Sequence, residues 1–202
     1  MPVNFVTDTC GPPPASARSI TMTRIPRGAV PAGIYHVNTR GAGPAPIFHD
    51  DDDRTMFCTL LVRTIVRMDW VCRAFVFMTT HYHLLIETPA ESLQPGMRRL
   101  NGYYARAFNL RHGRSGHLFG ERYHDVMVES DEHMLRVFRY ITLNPVEAGL
   151  CGRPSDWYWG SYRDCVGLGN EFPFVDSSMF RDQFRTLRDS GVEHIRRFVG
   201  DD

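Results

Sequence analysis

The chain has 202 residues, 43% hydrophobic and 23% charged, enough for one well-packed core. Its 23 basic residues balance its 23 acidic ones, so net charge names no partner, and it holds no run of 18 apolar residues and no basic-then-apolar N-terminus, so neither a membrane span nor a secretory signal is expected. Five scattered cysteines (Cys10, Cys58, Cys72, Cys151, Cys165) with no Cys-x-x-Cys pair suit a reducing, cytoplasmic setting and speak against a disulfide framework or a structural zinc site.

Residues 1–30 are rich in Pro, Gly, Ser and Thr and read as a flexible leader. Ile34 to Arg40 alternates as a first strand. Asp50 to Met68 carries Phe57, Leu60, Leu61, Thr64, Ile65 and Met68 on one helical face, with acidic residues at the end where the helix dipole favours them. Trp70 to Phe77 and His81 to Thr88 read as two further strands. Leu93 to Leu110 reads as a helix with Leu93, Met97, Leu100, Tyr104 and Phe108 as its stripe. His117 to Val128 reads as extended. Asp131 to Asn144 reads as a third helix, capped by Ser130 or Asp131 and ending near Pro145. Past Pro154, Trp157, Trp159 and Tyr162 suggest an aromatic lid packing back on the domain, and Met179 to Phe198 suggests two short amphipathic helices. In the order β-α-β-β-α-β-α, the first six elements predict an α+β, ferredoxin-like split βαβ unit: a mainly antiparallel sheet with helices packed on one face. The expected division is a leader over 1–30, a catalytic domain over 31–165 and a short C-terminal helical extension over 166–202.

Three features carry chemistry. His81 and His83 are two apart on a strand, so their imidazoles share a face while Tyr82 points to the other. Two neutral nitrogens side by side suit a divalent metal; two hydrogen-bonded histidines on a half-buried strand are the plainer reading, and these residues alone leave both open. Tyr140 and Asn144 are one helical turn apart and share a face with His133 and Arg136, away from the core stripe of Met134, Leu135, Phe138 and Ile141. From Met97 to Tyr123, six arginines (Arg98, Arg99, Arg106, Arg111, Arg114, Arg122) face a single acid, Glu121, with Tyr103, Tyr104, Phe108, Phe119 and Tyr123 interleaved. Arginine binds phosphate and aromatics stack on unpaired bases, so this segment is a candidate DNA-binding stretch or a solvated face. The chain has no lysine.

The strand His81-Tyr-His-Leu-Leu-Ile86, the helix end Arg139-Tyr-Ile-Thr-Leu-Asn-Pro-Val-Glu-Ala-Gly-Leu150 and the following Pro154-Ser-Asp-Trp-Tyr-Trp-Gly-Ser-Tyr162 resemble the single-tyrosine HUH transposases, the IS200-like group, and within them the REP-associated tyrosine transposases. The resemblance runs from about Arg24 to Phe198, through Arg24 to Gly41 and Gly116 to Val128. It implies the same ferredoxin-like architecture. It implies metal ligation by His81 and His83, with Asn144 matching the third, amide ligand, and nucleophilic attack on DNA by Tyr140. It implies Mg²⁺ or Mn²⁺ as cofactor and single-stranded or hairpin DNA as partner, and leaves homodimer formation open. Thr79-Thr80 stands where the family usually has Pro-Asn, which affects the local turn and no ligand. Three functions then compete: a single-strand DNA transposase acting through a 5′-phosphotyrosine, a nucleic-acid-binding module that has lost cleavage, and a metallohydrolase using water. A covalent protein–DNA adduct separates the first from the second, and the effect of Tyr140→Phe separates the first from the third.

Overall fold

A computed structural model describes residues 30–185 and 191–201. The expected leader, apart from Val30, lies outside the described residues, as does Cys10. Four strands, β1 (Gly33–Arg40), β2 (Val71–Phe77), β3 (His81–Thr88) and β4 (His124–Met127), form one antiparallel sheet in the order β2-β3-β1-β4. Helices α1 (Asp51–Met68) and α2 (Leu93–Arg111) cover one face, and α3 (Asp131–Glu147) lies across the other. This is the split βαβ arrangement that the alternation of element types predicts.

Each element follows from local chemistry. Asp50 caps α1 by accepting from the Asp53 amide at 3.0 Å, and three acids fill the first turn. Phe57 and Leu61 of α1, with Met97, Leu100, Tyr104 and Phe108 of α2, bury themselves on Tyr35, Val37, Phe75, Phe77, Tyr82 and Leu84. Gly96 is needed inside α2 because a Cβ there would come within 2.1 Å of the Trp70 ring. That ring is pinned in turn, Trp70 Nε1 donating to Ser92 Oγ at 2.6 Å.

Two sequence expectations change. The segment before β4 is not continuously extended. Only His124–Met127 pairs with β1, while Phe119 makes an isolated bridge to Gly41 and Leu118 turns into the core. The third helix does not stop at Asn144 either. Pro145 is buried within its last turn, and Gly149 in the left-handed region (φ 69°) ends the helix. The Leu150 amide reaches back to the Pro145 carbonyl at 2.8 Å and the Gly149 amide to that of Val146 at 2.9 Å. Proline so near a C-terminus forfeits one hydrogen bond, so the glycine is the terminator.

The residues past Pro154 cover the free edge of β2. The Phe77 amide donates to the Trp159 carbonyl, the Ser161 amide to that of Phe75, and Val175 bridges Cys72 in parallel. An unpaired strand edge is thereby protected. The aromatics straddle this edge, with Trp159 on the α1/α2 side and Trp157 on the α3 side. Helices α4 (Tyr162–Cys165), α5 (Ser178–Phe184) and α6 (Val192–Val199) complete the second core behind α3, where Phe180 stacks on Phe138 at 4.1 Å. No described helix is long and apolar enough to cross a membrane.

Candidate active site

β3 is an inner strand, and its odd positions face α3. His81 and His83 are 4% and 5% exposed, with ring centroids 5.1 Å apart and planes perpendicular. Tyr82 points through the sheet, donating to Asn101 Oδ1 and accepting from Thr39 Oγ1. α3 brings its polar stripe over the same face. Asn144 Oδ1 lies 3.2 Å from His81 Nε2, and the Tyr140 ring centroid lies 5.3 Å from that of His83. The Asn144 amide nitrogen donates to the Tyr140 carbonyl at 3.2 Å, which turns its oxygen toward His81. On the other side of that ring, His81 Nδ1 is 3.1 Å from Thr80 Oγ1. Tyr140 is 46% exposed, so a large substrate can reach it. The four residues singled out from the two sequence segments thus meet at one place.

A fifth group was missed. His36 of β1 sits diagonally beside His83, with Nε2 3.0 Å from His83 Nδ1, ring centroids 5.1 Å apart and 25° between the planes. It also lies edge-on to Tyr140 at 5.9 Å. Burial, and then the nearby His133, lower its pKa to about 4, so it is neutral at pH 7. Burial, followed by His36, His81 and Arg40, holds His83 well below the usual histidine range. Arg40 pairs with His81 in the β1/β3 register and shares its face. His36, Asn38 and Arg40 alternate on β1, and that parity was visible in the sequence; which strand they would adjoin was not.

The donor set fits a divalent cation. His83 Nε2 is buried with no hydrogen-bond partner among the described residues. The 3.2 Å between His81 Nε2 and Asn144 Oδ1 matches the spacing of adjacent ligands on a hard octahedral ion, roughly 3 Å for bonds of about 2.1 Å. Two neutral imidazoles and an amide oxygen leave the ion its full charge.

Another cluster has metal-like spacing but different chemistry. Among the described residues, His49, Asp53 and His112 have donor atoms within 4.8 Å of one another, on the α1/α2 side of the sheet. Both oxygens of buried Asp53 are taken. They accept from His112 Nε2 (2.9 and 3.0 Å), the His49 amide (2.8 Å) and Arg111 (2.5 Å). An arginine on the carboxylate and a helix N-terminus beneath it both oppose a cation. The arrangement clasps the start of α1 to the end of α2.

The six candidate DNA-binding arginines separate. Arg98, Arg99 and Arg106 lie on the outer side of α2, with Arg99 over the Tyr103 ring at 4.8 Å. Arg111 is tied to Asp50, Asp52 and Asp53, so its charge is offset locally. Arg114 sits over Phe108 at 5.5 Å. Arg122 follows Gly120, whose amide donates to the Arg40 carbonyl, which places it near the end of the sheet that carries His81. The sheet separates the α2 arginines from the histidines.

The family described as "Transposase IS200 like" matches residues 30–144 of this chain, which include His81, His83, Tyr140 and Asn144. The structure is similar to that of a REP-associated tyrosine transposase bound to a REP hairpin, at TM-score 0.60 and 15% identity over 72% of this chain and 86% of that one. A protein described as a candidate transposase of Deinococcus radiodurans R1 aligns at TM-score 0.42 and 19% identity, over 59% of this chain and 95% of that one. No curated protein matches the chain.

Proposed function

Because the chain belongs to the IS200-like transposase family, we propose that it cuts and rejoins single-stranded DNA through a 5′-phosphotyrosine on Tyr140, with REP-type hairpin elements as the substrate class. One observation carries the reading: the Tyr140 ring lies 5.3 Å from His83, beside the 3.2 Å pair of His81 and Asn144, on one face of an inner strand. A fold alone would not require that convergence.

His81, His83 and Asn144 would hold the divalent cation, Mg²⁺ or Mn²⁺, which supplies charge to bind the scissile phosphate and offset the negative charge of the transition state. The residues do the rest. The sheet and α3 hold Tyr140 beside that point, which replaces a bimolecular encounter with a positioned attack. The phenol oxygen bonds to phosphorus as its proton leaves, and the bond from phosphorus to the 3′ oxygen breaks, releasing a free 3′-hydroxyl. Joining runs the same exchange backward: an incoming 3′-hydroxyl takes the phosphoryl group and Tyr140 regains its proton. One phosphodiester is exchanged for another, so no ATP is consumed.

Hairpin DNA is favoured because the solved relative was bound to a REP hairpin and because this chain presents arginines beside exposed Tyr103. Arg40, opposite His81 in the β1/β3 register, would meet the phosphate next to His81. We assign residues 31–165 to the catalytic domain and 166–202 to a helical extension, and place the activity with chromosomal DNA in a bacterial cytoplasm. The test is incubation of the full chain with hairpin-bearing single-stranded DNA and Mn²⁺. A slow-migrating covalent band that maps to the Tyr140 peptide is expected. Binding without an adduct would instead indicate a module that has lost cleavage, and cleavage retained by Tyr140→Phe would indicate a metallohydrolase using water.

A further inference from the structure

We infer that His36 is a positioning residue that fixes His83 as the Nδ1–H tautomer and so leaves His83 Nε2 unprotonated for the metal. The inference rests on the proposed reading of the site and concerns a residue outside the His81, His83, Tyr140 and Asn144 set.

His36 Nε2 and His83 Nδ1 are 3.0 Å apart, so one of them carries the shared proton. If His36 donated, His83 Nδ1 would be the acceptor and the ring's own proton would sit on Nε2. That atom is buried and has no partner among the described residues, so the result would be an orphaned N–H, the rarer kind of unsatisfied group. If His83 donates from Nδ1, His36 Nε2 accepts and His83 Nε2 keeps a bare lone pair, the form a metal requires. The geometry therefore selects one tautomer before any ion arrives. The small angle between the two rings, 25°, also sets the plane in which that lone pair lies. His36 is held by β1, whose register against β3 runs unbroken from Gly33 to Arg40. Its edge contact with Tyr140 places the same ring against the nucleophile's ring, so ligand orientation and nucleophile packing share one support. A hydrogen bond to the far nitrogen of a metal-ligating histidine is generally worth about 10–100-fold in metal affinity.

The full chain is tested in two ways. Nitrogen-15 NMR of the metal-free protein should show His83 protonated at Nδ1 in wild type and in His36→Gln, whose side-chain oxygen can still accept. In His36→Phe, which keeps a ring and loses the acceptor, His83 should shift toward the Nε2–H form or a mixture. Mn²⁺ titration followed by electron paramagnetic resonance should show about 10–100-fold weaker binding for His36→Phe and near-wild-type binding for His36→Gln. His83 protonated at Nε2 in the wild type overturns the inference without needing any variant. Equal Mn²⁺ affinity in wild type and folded His36→Phe overturns it too. A wild type that shows the Nδ1–H tautomer and binds Mn²⁺ but forms no DNA adduct leaves this inference standing and overturns the proposed reaction instead.

Discussion

At the scale of single residues, Tyr140 and His81 differ in what they hold. Tyr140 is half-exposed and its ring lies edge-on to His36 and His83, so Tyr140→Phe should shift stability by less than about 0.5 kcal/mol. It should nonetheless abolish the covalent adduct, because the phenylalanine ring has no oxygen to bond to phosphorus and the nearby Thr80 hydroxyl is buried against His81. Denaturation and adduct assays on the same sample check both halves. His81 is buried between Thr80 and Asn144. His81→Ala should cost about 1–3 kcal/mol through the Asn144 oxygen it leaves unsatisfied, yet remain folded, and should lose Mn²⁺ binding and cleavage together. Near-normal cleavage by a folded His81→Ala protein would sink the ligand assignment.

At the scale of elements, two contacts fasten helices to one another. Asp53 clasps α1 to α2. Burial alone would raise its pKa, but hydrogen bonds from His112, the His49 amide and Arg111 outweigh that and hold it below the ordinary 3.8. A carboxylate lowered in the folded state binds its proton more weakly there than in the unfolded chain. Its stabilisation is therefore complete above about pH 4 and is lost as the pH falls further. Urea midpoints at pH 7, 4 and 3 should drop more steeply below pH 4 for wild type than for Asp53→Asn, and the variant should be about 2 kcal/mol less stable at pH 7. The second contact is Phe180 of α5 on Phe138 of α3, fully buried on both sides. Phe180→Ala should cost about 3–5 kcal/mol. Because α3 carries Tyr140, cleavage by the still-folded fraction should fall as well, which a rate normalised to folded protein would detect.

At the scale of the molecule, the packing of α1 against α2 sorts the arginines into separate tasks. Arg98, Arg99 and Arg106 lie on the outer side of α2, where phosphates could reach them, whereas Arg111 is committed to three aspartates. Replacing Arg98, Arg99 and Arg106 by Ala should reduce the salt dependence of hairpin binding by up to about 3 in log–log slope, one for each phosphate left without its arginine. Arg111→Ala should leave the slope near wild type and lower stability. Fluorescence anisotropy across a salt series reads the first effect and thermal denaturation the second. A loss of about 1 in slope for Arg111→Ala would show that the acidic clasp opens when DNA binds.

Much of this was legible in the chain itself. Strand parity put His81 and His83 on one face and Tyr82 on the other, and helical spacing joined Tyr140 to Asn144, because both periodicities are local properties of the backbone. The alternation of element types likewise implied the antiparallel α+β layout. The role of His36 was not legible, since a histidine on a strand becomes a neighbour of His83 only once β1 pairs with β3 in one register. Nor was the division among the arginines, which depends on Asp50, Asp52 and Asp53 lying against the end of α2, some sixty residues away along the chain. The sequence by itself determined which residues can act and on which face of its own element each one stands. Only the tertiary structure decided which faces meet, because pairing register and helix docking are set by burial summed over the whole core rather than by any one segment.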